Sequence, residues 1–133
     1  MRISLMVKTK RMEQKFINGD VVMYDNKVMV VKEPRDGSHF DLSCPKEGLV
    51  CCLVGVDEIK PVLLTSAILL KNGWSKGQIF FRHSRIPRIK LCTDGGISWS
   101  VSINNDIMGG YISYVHELQH ILFAFKINLE MEV

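Results

Sequence analysis

Between Gly19 and Val54 the chain repeatedly runs a few apolar residues and then breaks. Val21-Val22-Met23-Tyr24 meets Asp25-Asn26, and Lys27-Val28-Met29-Val30-Val31 meets Glu33-Pro34-Arg35-Asp36-Gly37. His39-Phe40-Asp41-Leu42 and Leu49-Val50-Cys51-Cys52-Leu53-Val54 are divided by Pro45-Lys46-Glu47-Gly48. Short runs rich in β-branched and aromatic residues, bounded by Gly, Pro, Asn and Asp, read as strands joined by tight turns. The expectation for residues 16–60 is a small curved antiparallel sheet or an SH3-like barrel. Such architectures bind peptides or nucleic acid, and the architecture alone assigns neither.

Residues 61–133 read differently. Thr65 suits the N-cap of a short helix over Ser66–Lys71, and Asn72-Gly73 suits its stop. Gln78–Arg82 and Ile86–Cys92 read as strands around the basic turn His83-Ser84-Arg85, and Thr93–Gly96 turns into a strand over Ile97–Ser102. Asn104-Asn105-Asp106 and Gly109-Gly110 read as a loop, and a final helix is expected from near Ser113 to about Lys126. Ahead of both halves, Ile3, Leu5 and Val7 alternate weakly, as in an edge strand or a short basic arm. The whole is expected to be one α+β domain over 1–133, with a β-rich half over 16–60 and an α-β-β-α half over 61–133.

At 133 residues, 47% of them hydrophobic, the chain can bury a core without help from a metal or a disulfide. Cys44, Cys51, Cys52 and Cys92 show no C-x-x-C spacing and are expected as buried, reduced thiols. No apolar run approaches the ~18 residues that span a bilayer. Met1–Val7 is followed by Lys8, Lys10 and Arg11 without a signal-peptide pattern, so the expected location is the cytoplasm, away from membranes.

The net charge of +3 understates an asymmetry. From Ile59 to Thr93 there is no acidic residue, while Lys60, Lys71, Lys76, Arg82, Arg85, Arg88 and Lys90 are basic. Acids gather in Glu33–Glu58 and at Glu130 and Glu132. In the strand Ile86–Cys92 the two-residue period puts Ile89 and Leu91 on one face and Arg88 and Lys90 on the other. Arginines at intervals of three grip phosphate or carboxylate through paired hydrogen bonds. Lys71, Lys76, Arg82, His83, Arg85, Arg88 and Lys90 therefore form the candidate binding set for an acidic macromolecular partner. A charge run of this kind is also found as a plain solvated face. His83 between Arg82 and Arg85 suggests a nuclease base, yet no histidine or carboxylate stands near it in sequence. Phe80, Phe81, Trp74 and Trp99 are of a kind that stacks on bases, but their positions suit a core better.

His116-Glu117-Leu118-Gln119-His120 matches the H-E-x-x-H signature, in which two histidines one turn apart hold zinc and the glutamate polarises a water. At about 100° per residue, Val115, Leu118, Ile121, Leu122 and Phe125 share the arc that a helix buries. His116 and His120 fall on the opposite side, as polar-face residues. The longer form of the motif has no counterpart here, since Phe123 and Lys126 stand where its glycine and third histidine belong. Catalytic residues and cofactors are accordingly not expected, and any metal would fall to His116 and His120.

Tyr114-Val115-His116-Glu117-Leu118-Gln119 with Leu122-Phe123-Ala124 resembles the C-terminal box of small uncharacterised proteins from Bacteroidetes genomes and their phages. In that family the position of His120 is often asparagine, which cannot serve as the second zinc ligand of the motif. Phe16–Val22 resembles its opening strand, and Ile59–Thr65 with Leu69–Trp74 its first helix. The resemblance touches about a third of the chain in the same order. It implies a fold and a phage or mobile-element setting, and carries no catalytic residues. From size, charge and resemblance together comes the leading expectation of a non-enzymatic accessory protein docking a basic face on its partner. Its most concrete form is an anti-CRISPR-like inhibitor of a host RNA-guided defence nuclease, bound to the enzyme or its guide RNA. The alternatives are a direct RNA- or DNA-binding protein and a zinc hydrolase built on the HELQH motif. The sequence leaves the oligomeric state open.

Overall fold

A computed structural model describes residues 16–36, 38–44, 46–93, 97–104, 106–127 and 131–133. The expected arm or edge strand over Met1–Lys15, the Asp94-Gly95-Gly96 turn and Glu130 lie outside them. The architecture is α+β, with two open antiparallel sheets of five strands each. Neither closes into a barrel. Contacts divide the chain into two compact units, Met1–Lys60 and Pro61–Val133, at the point where the residue pattern changes character.

The first unit is built on β1 (Val21–Tyr24), β2 (Lys27–Pro34), β3 (His39–Cys44) and β4 (Leu49–Gly55). A 3-10 turn over Val56–Glu58 then leads to the two-residue β5 (Lys60–Pro61), and the strand order is β4-β3-β2-β1-β5. Asp25 and Asn26 turn the first hairpin with φ of 52° and 61°. That is the left-handed pair that matches strand twist and that short Asx side chains tolerate. Val22 faces Met29 and Val31 faces Leu42 across the strands. With Phe16, Phe40, Val54 and Ile59 they form the core, where the rings of Phe16 and Phe40 meet edge to face at 5.8 Å.

At the edge strand β4 the register slips. Phe40 pairs with Val54 but Leu42 with Cys51, so Cys52 and Leu53 together oppose Asp41. Leu53 takes a φ of 55°, a conformation that a Cβ makes costly. Buried Asp41 holds it there: Oδ1 accepts from the Leu53 N–H at 3.0 Å, and Oδ2 accepts from Arg35 Nη2 at 2.6 Å. The bulge breaks strand alternation, so Cys52 is exposed and Cys51 half-buried, while Cys44 alone of the four is buried. Edge position and bulge thus correct the expectation of buried thiols.

Acid should loosen this unit. Arg35 and the Leu53 N–H hold the Asp41 carboxyl below its ordinary value. Hydrogen bonds from Ser38 and His39 hold Asp36 down to about 2. A carboxylate depressed in the folded state stabilises it above the unfolded pKa, near 4, and ceases to as pH falls through the folded value. Stability measured by urea titration should therefore fall between about pH 4 and pH 2. Asp41→Asn should flatten that dependence while lowering stability at neutral pH. An unchanged acid slope in the variant would remove Asp41 from the account.

The second unit runs α1 (Ser66–Lys71), β6 (Trp74–Lys76), β7 (Phe81–His83), β8 (Ile86–Thr93), β9 (Trp99–Ile103), β10 (Asp106–Ile112) and α2 (Val115–Ala124). Each strand lies beside its sequence neighbour, in the order β10-β9-β8-β7-β6. Thr65 caps α1 as expected, its Oγ1 accepting from the Ile68 N–H at 3.2 Å. Two expectations are overturned. Gln78–Phe80 lies before the strand, which begins at Phe81, and a three-residue strand over Trp74–Lys76 pairs with it. Asp106, Gly109 and Gly110, expected in a loop, belong to the strand Asp106–Ile112, which pairs with β9 with a register shift between Ile107 and Tyr111. That shift lets a glycine-containing stretch stay paired. No described helix is long and apolar enough to cross a membrane.

Candidate functional site

The β6–β9 register decides which side chains share a face. Trp74 pairs with His83, Phe81 with Leu91, and Leu91 with Val101. All five are buried and line the inner face together with Ile89 and Trp99. Residues one step away belong to the other face, where Ser75 and Arg82 are exposed, Lys90 is half-buried and Ser102 is buried. Ser75 opposes Arg82, Arg82 opposes Lys90, and Lys90 opposes Ser102, so these four form one row across four strands. Arg88 lies two residues from Lys90 on the same face, with its guanidinium 5.3 Å from the centre of the Phe125 ring. The Lys90 ammonium stands 5.6 Å from the centre of the Phe80 ring.

Arg82 and Lys90 are thus like charges directly opposite each other, Arg82 exposed and Lys90 half-buried. Among the described residues, this face carries no Asp or Glu by register. The described ion pairs, Lys27–Glu47, Arg35–Asp41 and His39–Asp36, all belong to the first unit. Arg82, Arg85 and Lys76 are exposed and make no ion pair among the described residues. A face that concentrates cations and hydroxyls without carboxylates attracts phosphate or carboxylate groups at long range.

The expected binding set is therefore only partly assembled. Arg82, Arg88 and Lys90 share the outer face, and Arg85 sits in the Ser84-Arg85 turn between β7 and β8. Lys76 pairs with Phe81 and belongs by register to the other side of the sheet. Lys71 ends α1, where its Nζ donates to the Val133 carbonyl at 3.2 Å. His83 does not belong to the set, because its ring is buried against Trp74 at 5.5 Å. Its Nδ1 accepts from the Arg85 N–H at 3.0 Å, which leaves Nε2 to carry the proton donated to the Asn72 carbonyl at 3.1 Å. A Cβ at Gly73, whose φ is 90°, would stand 2.9 Å from that Nε2. His83 is a tie between α1 and β7 and is not placed as a nuclease base.

Two aromatic residues on or beside the face escape sequence reasoning. Phe80 reads as a core aromatic, yet its two-residue spacing from Arg82 puts it beside the outer face, where it is half-buried. Tyr111 directly follows the expected Gly109-Gly110 loop and carries no period of its own. It pairs with Ser100, which pairs with Cys92, so it shares the face of Lys90 and is 71% exposed. Trp74, Trp99 and Phe81 are core, as expected.

The HELQH segment is also used differently from its motif. Glu117 Oε1 accepts from the backbone N–H groups of Ser113 and Tyr114, at 2.8 and 3.0 Å. Its carboxylate therefore closes the N-terminus of α2, where unpaired N–H groups and the helix dipole favour an anion. His116 is buried, contrary to the polar-face expectation, and stacks on the Tyr114 ring at 5.9 Å. His120 is half-buried, its ring edge-on to that of His116 at 5.5 Å. The expected apolar arc holds in part, with Val115, Leu118 and Leu122 buried and Ile121 and Phe125 half-buried. A second chain segment runs beside the start of α2. Leu64 donates to the Ser113 carbonyl and Val115 to the Val62 carbonyl, at 2.9 and 2.8 Å. Among the described residues, no three His, Cys, Asp or Glu side chains are placed to share an ion.

No protein-family model matches the chain, and no curated protein or solved structure is similar to it.

Proposed function

We propose that this is a non-enzymatic binding protein that docks the outer face of its second sheet on a polyanionic macromolecular partner. The observation that carries the reading is the exposed Arg82 and Arg88 on one face of the sheet, with half-buried Lys90 opposite Arg82. An anion seated between such cations relieves their repulsion and exchanges condensed counterions for protein contacts. The resemblance of the Tyr114–Ala124 box suggests the setting, a phage or mobile-element accessory protein of the anti-CRISPR-like inhibitor type. Its partner would be a host defence nuclease or its guide RNA. That setting rests on the resemblance alone, and the binding face does not depend on it.

Binding to fluorescent polyphosphate, followed from about 50 to 200 mM salt, tests the reading. The logarithm of affinity should fall linearly with the logarithm of salt concentration, by roughly 0.7 to 0.9 for each phosphate contacted. Arg82→Ala with Lys90→Ala should weaken binding about tenfold or more and reduce the slope by about two contacts. A charge change at Lys27, which is paired with Glu47 in the first unit, should do neither. Binding that ignores salt, or a double variant indistinguishable from the parent, would overturn the proposal.

A further inference from the structure

The charge pattern alone does not distinguish a nucleic acid from an acidic protein. The aromatic residues do. Phe80 borders the row that begins with Ser75, Arg82 and Lys90, and Tyr111 lies on the same face three strands away. Neighbouring strands are about 4.8 Å apart, so the two rings bracket roughly 14 Å of sheet. Between them stand half-buried Lys90 and Ser100, with no large side chain from Ser100 or from buried Ser102. Tyr111 is 71% exposed, whereas its neighbour Ile112 turns inward and is buried.

We infer that this face binds single-stranded nucleic acid, with Tyr111 and Phe80 stacking on unpaired bases and Arg82, Lys90 and Arg88 holding the backbone. The inference rests on the basic-face reading and narrows its partner. Every base has a π-face, so aromatic residues on a basic sheet hold a strand without reading its sequence. A duplex hides its base faces, and reading its edges requires a helix or ribbon that enters a groove. Arg82, Arg88, Lys90 and Tyr111 lie on paired strands, not on a helix or a free ribbon. An acidic polypeptide would use the cations but would leave the Tyr111 ring in water.

The test uses the full chain and fluorescence anisotropy of end-labelled oligothymidylate, the same strand in a duplex, and labelled polyglutamate. Tyr111→Leu keeps apolar bulk at an exposed position and removes the ring; circular dichroism checks that it folds. The expected result is tighter binding of the single strand than of the duplex. Tyr111→Leu should weaken it about tenfold with an unchanged salt slope, whereas Arg82→Ala should reduce the slope by about one contact. Equal affinity for strand and duplex, or no effect of Tyr111→Leu, would overturn the stacking inference and leave the basic-face reading standing. Binding of polyglutamate with no binding of oligonucleotide would overturn it in favour of a protein partner. If none of the three ligands binds at low salt, the basic-face reading fails as well.

Discussion

Replacing Trp99 by Ala should cost the second unit about 3 to 5 kcal/mol, the range for deleting a large aromatic from a packed core. Trp99 is fully buried, meets Phe81 edge to face at 5.3 Å, and donates from Nε1 to the Leu64 carbonyl at 2.9 Å. Leu64 is itself fully buried, so the variant leaves both a cavity and an acceptor without its donor. Trp99→Phe separates the two effects. It keeps most of the ring volume and loses the N–H, so a cost of about 1 to 2 kcal/mol is expected. Urea unfolding followed by circular dichroism gives both numbers, with the midpoint moving and the slope unchanged if the variants stay two-state. Equal stability of Trp99→Ala and the parent would mean that the β9 face is not the core of this unit.

The same residue shows what was readable beforehand. Ile97, Trp99 and Val101 alternate with serines, and that period matches the burial of Trp99 and Val101, although Ile97 is exposed. The β1–β2 hairpin and the Thr65-capped helix were legible for a similar reason, because each is fixed by residues within a few positions of one another. What was not legible depends on distant chain. The two strands Lys60–Pro61 and Trp74–Lys76 are too short to carry a period and exist only through their partners. β10 contains Gly109 and Gly110, which locally favour a loop, and pairing with β9 overrides that preference.

The binding face was half legible. Alternation in Ile86–Cys92 correctly separated Arg88 and Lys90 from Ile89 and Leu91. Arg82 joined them through register, which no local pattern supplies. His83 illustrates the opposite error, since a histidine flanked by arginines reads as part of a basic turn, whereas β7 runs through it. Strand alternation then turns Phe81 and His83 inward, His83 to Asn72 and Trp74, while Arg82 faces out. His116 lies off the apolar arc of α2 yet is buried, with its ring between those of Tyr114 and His120. Residues 62–64 pair with the chain at the start of the same helix, and no helical period shows that pairing.

Glu117→Ala should destabilise the second unit by about 2 kcal/mol, because two backbone N–H groups at the start of α2 lose their acceptor at once. Glu117→Gln should cost less, since the amide oxygen can still accept from Ser113 and Tyr114 but loses its negative charge beside the helix dipole. The order parent, Gln, Ala in stability is what a capping role requires. A metalloprotease glutamate would give another pattern: both variants would lose activity alike, with little change in stability, because Gln cannot take up the proton from a metal-bound water. Thermal melts of the three proteins, with and without added zinc, distinguish the two uses of one side chain. Equal melting temperatures for all three without zinc would overturn the capping role. A large zinc-induced rise that requires both His116 and His120 would return the motif to metal chemistry.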